Sequence, residues 1–439
     1  MRASVALVLL AGCEVTGVFH CETSEQCVQR GEQGMCITGS CAFADPGCDS
    51  GWRYADSSQD DVAGSCLDRS SPAGCETWMP RHFMPCALPA PLGDLRLSSG
   101  YVYDTDHGAF LGGPKLDHAS VVTAQPDGTP ARVISVGSFA IDGGVRLRVI
   151  GSLPLIVASW SDIAIGGVIE VDSTLGALSG AGANPAACST GAPQAGEPGV
   201  ASRGSGGGGG GAFGGAGGKG GIADVDNQPG RQGGAGGTAV AMAMRATTVR
   251  GGCPGARGGS IGPGATAPLT AMTAASGGAG GGAIQLTARG RVALSAGAVI
   301  EAGGAGGVGG PGGEAGGGGG GSGGFIGLEG TMVTLASGSI VAANGGGGGG
   351  GASNTAPGGT GSNATANNNA APGGNGAAGA GGGLPGAANT TLAGGSANDA
   401  NSFDEAGGGG GGGGAGVIVV RGTVTMTGAQ VSPPVTVDP

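Results

Sequence analysis

Cysteine and the ionisable side chains are where chemistry could reside in this chain. Cys21, Cys27, Cys36, Cys41, Cys48, Cys66, Cys75 and Cys86 crowd the N-terminal fifth. An even set of cysteines in a short segment reads as a disulfide framework, and spacing alone does not choose its pairing. The rival is zinc, which needs short Cys-x₂₋₄-Cys pairs with histidine at ligand spacing. Cys36 and Cys41 come near that pattern, but His20 and His82 stand apart from it. No metal and no cofactor is therefore expected. Cys188 and Cys253 flank the first glycine-rich excursion. They are expected to bond to each other, because closing a long loop is where a cross-link helps most in the chain-entropy picture.

Other chemistries fail on residue type or spacing. A phosphate-binding loop needs Gly-x₄-Gly-Lys followed by Ser or Thr. Here Gly218-Lys219 is followed by Gly220, and Phe213 occupies the upstream glycine position. A nucleophilic serine needs an oriented base, yet no Gly-x-Ser-x-Gly elbow exists, and His107 and His118 merely follow Asp106 and Asp117. Asp104-x-Asp106-x-Gly108 opens like a calcium loop but puts glycine where the third ligand belongs. Asp224, Asp226 and Asn227 form another oxygen cluster, and both places read as turns capped by short polar side chains. Glu170, Glu301 and Glu329 read as isolated, solvent-facing strand positions. No catalytic residue is assigned, and an enzyme is not expected.

The elements that would hold any site are unusual. Glycine contributes 109 of 439 residues, while aromatics make up 3% and charged residues 11%. Glycine loses roughly 0.5–1 kcal/mol more than alanine when fixed in regular structure. The glycine runs must therefore be either disordered or held by dense backbone hydrogen bonding. Ordered runs would be extended, polyproline-II-like strands. The stretch from 352 to 404, rich in Asn, Ala, Thr and Gly, is the foremost candidate for disorder. A net charge of −11 with no basic stripe argues against nucleic acid as a partner.

Between the glycine runs a strand pattern recurs. Ile284-x-Leu286, Val292-x-Leu294 and Val299-Ile300-Glu301 are echoed by Ile326-x-Leu328, Val333-x-Leu335 and Ile340-Val341-Ala342. Ile418-x-Val420, Val424-x-Met426 and Val431 form a further copy. Val168-Ile169-Glu170 belongs to a looser, earlier one. Val145, Leu147 and Val149 alternate with Arg146 and Arg148, as in a half-buried strand. No unit buries its apolar face alone, so the units must stack. The expected fold is all-β: a parallel β-helix or solenoid with glycine-rich excursions from one corner, preceded by a small disulfide-rich module. No helix is expected outside the N-terminal segment. The divisions read as 1–12 signal peptide, 13–90 disulfide-rich module, 91–180 start of the solenoid, 181–282 glycine-rich excursion and 283–439 strand repeats with glycine-rich insertions. Trp52, Tyr54 and Trp78 are expected to form the small core of the module.

The N-terminus carries Arg2, an apolar run from Ala3 to Leu10, and then Leu10-Ala11-Gly12-Cys13. This resembles the signal and lipobox of bacterial lipoproteins, which implies lipidation of Cys13 and a membrane as partner through that anchor. Glu14 in the following position implies the outer membrane. The lipobox, the cysteine module and segments such as GGGGGGAFGGAGGKGG together resemble the glycine-rich surface lipoproteins of myxobacteria. A weaker likeness is to glycine-rich mycobacterial surface proteins. The resemblance implies export to the cell surface and carries no catalytic residues. The expected role is non-enzymatic, structural or adhesive, with surface glycans or other surface proteins as possible partners. The alternative is a glycan-binding or polysaccharide-cleaving β-helix protein.

Overall fold

The computed structural model describes residues 18–21, 26–29, 31–37, 40–45, 47–48, 52–58, 62–66, 74–199, 204–223, 230–240, 247–260, 274–401 and 406–438. Cys13, Asp224, Asp226 and Asn227 lie outside them. The chain divides into two compact units, Met1–Ser70 and Ser71–Pro439. The first is small: β1 (Val28–Gln29) pairs with β2 (Glu32–Gln33), and β3 (Met35–Ile37), β4 (Ser40–Ala44) and β5 (Trp52–Tyr54) form an antiparallel sheet. Its buried cluster is built from Cys21, Cys27, Cys41 and Ala55, so cross-links replace the apolar core so short a segment lacks.

The second unit is almost entirely β, and its sheet is curled and mostly parallel. Its first strands are β6 (Leu95–Leu97), β7 (Tyr101–Asp104), β8 (Ala109–Leu111), β9 (Ala119–Ala124), β10 (Pro130–Val136), β11 (Phe139–Ile141) and β12 (Arg146–Ile150). Then come β13 (Leu155–Ser159), β14 (Ile163–Ile165), β15 (Val168–Glu170), β16 (Ala283–Ala288), β17 (Arg291–Leu294) and β18 (Val299–Glu301). The last are β19 (Phe325–Leu335), β20 (Ile340–Ala342), β21 (Val417–Met426), β22 (Gln430–Ser432) and β23 (Thr436–Asp438). They pair in three rows. One row runs β10, β13, β16, β19 and β21; a second runs β6, β11, β14, β17, β19 and β21; the third runs β7, β12, β15, β18, β20 and β22. The long strands β19 and β21 join the first two rows. Gly422 makes that bend possible, with φ +120 and the Gly330 carbonyl 1.9 Å from where a Cβ would stand.

The sequence repeats are the register. Leu155, Ile284, Ile326 and Ile418 pair in succession, as do Ile163, Val292, Val333 and Val424, and Ile169, Ile300, Val341 and Val431. Strand side chains alternate between faces, so each series forms a ladder on the inner face, and all but the terminal Val424 and Val431 are buried in one cluster. Each fully buried Ile or Leu contributes about 1.5–3 kcal/mol. A second cluster covers the other face of the first row, where Val133, Ile156, Phe325 and Val419 meet Phe213 and Val249. Trp78 packs here, edge-on to Phe83 and Trp160, not in a cysteine-module core with Trp52 and Tyr54. Antiparallel strands close one end, β9 on β10 and β8 on β7. The helical pieces are short 3-10 turns such as Cys75–Thr77, Pro85–Ala87 and Ala186–Ser189, where no helix was expected.

The glycine runs are packed, and the expectation of disorder in 352–404 fails for its described residues. Along 206–211 every N–H and every C=O is bonded, and partners recur every third residue. Gly206 and Gly209 donate to Glu197 and Gln194, Gly207 and Gly210 to Gly221 and Gly218, and Gly208 and Gly211 to Gly317 and Gly320. Their carbonyls accept from 256–259, 234–237 and 411–414 in the same rotation. Three residues per turn with no internal bonds is the polyproline II geometry. Each such chain therefore has six neighbours. Runs 316–321, 345–351 and 407–414 behave alike, and the four pack against one another as a central group. Around them runs a closed ring of ten segments: 191–199, 251–260, 275–282, 303–310, 358–364, 371–377, 380–387, 394–401, 215–223 and 231–238. The pure glycine runs are thus the interior. A Cβ at Gly319 would stand 2.0 Å from the Gly209 carbonyl oxygen, and one at Gly410 2.0 Å from that of Gly318.

Candidate functional site

The disulfides pair Cys21 with Cys36, Cys27 with Cys41, Cys48 with Cys66, Cys75 with Cys86, and Cys188 with Cys253. The first three bridges lie in the N-terminal unit. Cys75–Cys86 joins two 3-10 turns of the second unit instead. Cys21, Cys27 and Cys36 approach one another closely, but as members of disulfides they offer no thiolate to a metal. Cys188–Cys253 ties the loop holding the ring segments 191–199 and 231–238.

Asp104 and Asp106 cap their turn, as short polar side chains do. Asp104 accepts from the backbone N–H of Asp106 and pairs with the His107 ring at 2.8 Å. Asp106 accepts from the Ser152 hydroxyl and backbone N–H. Both ring nitrogens of His118 face carbonyl oxygens, of Leu116 and Gly108, and burial holds its pKa below the usual histidine range.

The three glutamates are not isolated, which corrects the reading of them as separate solvent-facing positions. Glu329 on β19 accepts from Arg421 at 2.6 Å, from Gln285 and Thr287 at 3.3 Å, and from the Arg81 N–H at 3.2 Å. With its oxygens so occupied it fastens segment 79–81 to the sheet. Parallel stacking explains the other two. Val168-Ile169-Glu170 and Val299-Ile300-Glu301 pair residue for residue, so Glu170 and Glu301 are lateral neighbours. One step further, Glu170 lies beside Arg148 on β12, and Arg148 beside Val102 on β7.

An open groove of about 510 Å³ runs over this charged stripe. Arg146, Arg148, Glu170, Asp172 and Thr174 contribute its polar lining, and Leu178 an apolar side. Arg146 pairs with Glu170 and Arg148 with Asp172. Arg148 also donates to the Leu178 carbonyl at 3.0 Å, which holds the wall formed by residues 173–180. The glycine bundle supports the same wall. Ser173 donates to the Gly280 carbonyl at 2.6 Å, and Asn363 accepts from the Leu175 N–H at 3.1 Å. Burial, reinforced by the charges of Asp172 and Glu170, raises the Glu301 carboxyl to about 7 against the partial opposition of Arg146 and Arg148. Burial also raises Glu170 despite its arginine partner. The outward face of these strands therefore carries a charged stripe.

Fold and site together define an all-β, disulfide-bonded protein with a polyglycine bundle flanking a mixed-charge groove. Comparison with protein-family models, with curated proteins and with solved structures gives no match.

Proposed function

We propose that this chain is an exported cell-surface lipoprotein with a structural or adhesive role and no catalysis of its own. The closed glycine bundle carries the reading. Its interior spends nearly every backbone donor and acceptor on neighbouring chains and has no room for a side chain. Such a body suits rigid display better than substrate turnover. The finer fold reading is a parallel β-solenoid, supported by three rows in continuous register with glycine excursions leaving after the third row and returning into the first. Five disulfides fit an oxidising compartment outside the cytosol. Among the described residues no helix is long and apolar enough to cross a membrane. Attachment is assigned to a lipid on Cys13, with the outer membrane as address and surface glycans or other surface proteins as partners.

Intact cells producing the protein provide the test. Added protease should cleave it without lysis, and Cys13→Ser should release it from the membrane fraction. Full protection in intact cells, or retention of Cys13→Ser at the wild-type level, overturns the reading.

A further inference from the structure

The groove over β7, β12 and β15 has a chemistry distinct from that of the glycine bundle. Guanidinium groups only donate hydrogen bonds, and ionised carboxylates only accept them. Here the two kinds stand side by side: Arg146 with Glu170 and Arg148 with Asp172. Arg146 leaves 65% of its side chain exposed, so most of its donors face the groove or solvent. A ligand matching this floor must donate and accept within a few ångströms. Hydroxyl groups do both at one atom. An anionic ligand would meet Glu170 and Asp172, and a cationic one Arg146 and Arg148. Leu178, 68% exposed, gives the wall apolar surface for C–H faces. The volume lies within the usual range of ligand sites, about 300–1,000 Å³.

We propose that this groove binds an uncharged oligosaccharide, its hydroxyls bridging Arg146 to Glu170 and Arg148 to Asp172 while Leu178 packs against the sugar rings. The wall is held from two sides, by Arg148 from the sheet and by Ser173 and Asn363 from the bundle, so the site is formed before ligand arrives. This does not depend on surface location, because it is measured on purified protein.

The experiment is calorimetric titration of the full chain with cellohexaose, maltohexaose, laminarihexaose and chitohexaose, and with hexagalacturonate as the charged comparator. At least one uncharged probe should bind, and Arg146→Ala and Glu170→Gln should each weaken it at least tenfold. Lys219→Ala, on the bundle, should leave it unchanged. Glu170→Gln keeps the shape of a side chain that lines the groove and removes its carboxylate, so it reports even if Arg146→Ala folds poorly. The proposal is overturned if no uncharged probe binds, if hexagalacturonate binds more tightly than all of them, or if Glu170→Gln binds like wild type.

Discussion

Gly319 lies in the middle of the second central run, with a carbonyl oxygen where any side chain would begin. Overpacking of an interior costs about 1–3 kcal/mol even when neighbours can shift. Here the obstacle is backbone bonded on all sides. Gly319→Ala should lower unfolding free energy by about 3 kcal/mol or more. Gly382, in the ring, is the contrast: its nearest obstacle is Asn398 Nδ2 at 3.5 Å. Gly382→Ala should stay within about 0.5 kcal/mol of wild type in the same chemical denaturation series. Glu301 makes a second prediction at this scale. Its carboxyl is raised from 4.5 to about 7, so the folded state holds the proton more tightly than the unfolded chain. Stability from this group is fully present below pH 4.5 and declines as pH rises through 7. Glu301→Gln should flatten that decline in melting curves across the window and be more stable than wild type at pH 8. An unchanged decline would mean that other groups cause it.

At the scale of elements, strand positions were legible and glycine packing was not. Apolar ladders such as Ile284, Ile326 and Ile418 leave a period in sequence because a buried face demands one. Glycine has no side chain to pattern, so order and disorder looked alike. The signal lay in its neighbours. Ring segments read Gly303-Gly304-Ala305-Gly306-Gly307-Val308 and Gly214-Gly215-Ala216-Gly217-Gly218-Lys219, with a side chain every third residue, whereas central runs have none. A threefold period is what a three-residue turn with one outward face imposes. The adjacency of Glu170 and Glu301 left an equal trace, although the two read as isolated. The echo of Val168-Ile169-Glu170 in Val299-Ile300-Glu301 places both glutamates at one step of the repeat, and stacking makes them neighbours. The long-range bridge belongs here too. Cys188–Cys253 spans 65 residues that contribute several ring segments and one central run. Replacing both cysteines by alanine should cost about 2–4 kcal/mol. Amide exchange should quicken in 191–260 more than in β16–β18; equal effects in both would place the bridge outside the bundle's stability.

Across the whole second unit, column and bundle are one hydrogen-bonded body. Gly324 donates to the Ala302 carbonyl, Val417 to that of Gly324 and Gly416 to that of Ala343, so the glycine chains run into the strands without a linker. The central run 407–414 has a further consequence, which concerns time. It is the last of the four to leave the ribosome, yet it bonds to each of the other three. The earliest, 206–211, waits for it: Gly208 and Gly211 have no acceptor duty until Gly411 and Gly414 exist. Nascent chains cannot finish the lattice piecemeal, and a truncation ahead of residue 407 strands half-bonded glycine in water. Completion of the lattice therefore waits on residues 407–414, whichever of the other runs forms first.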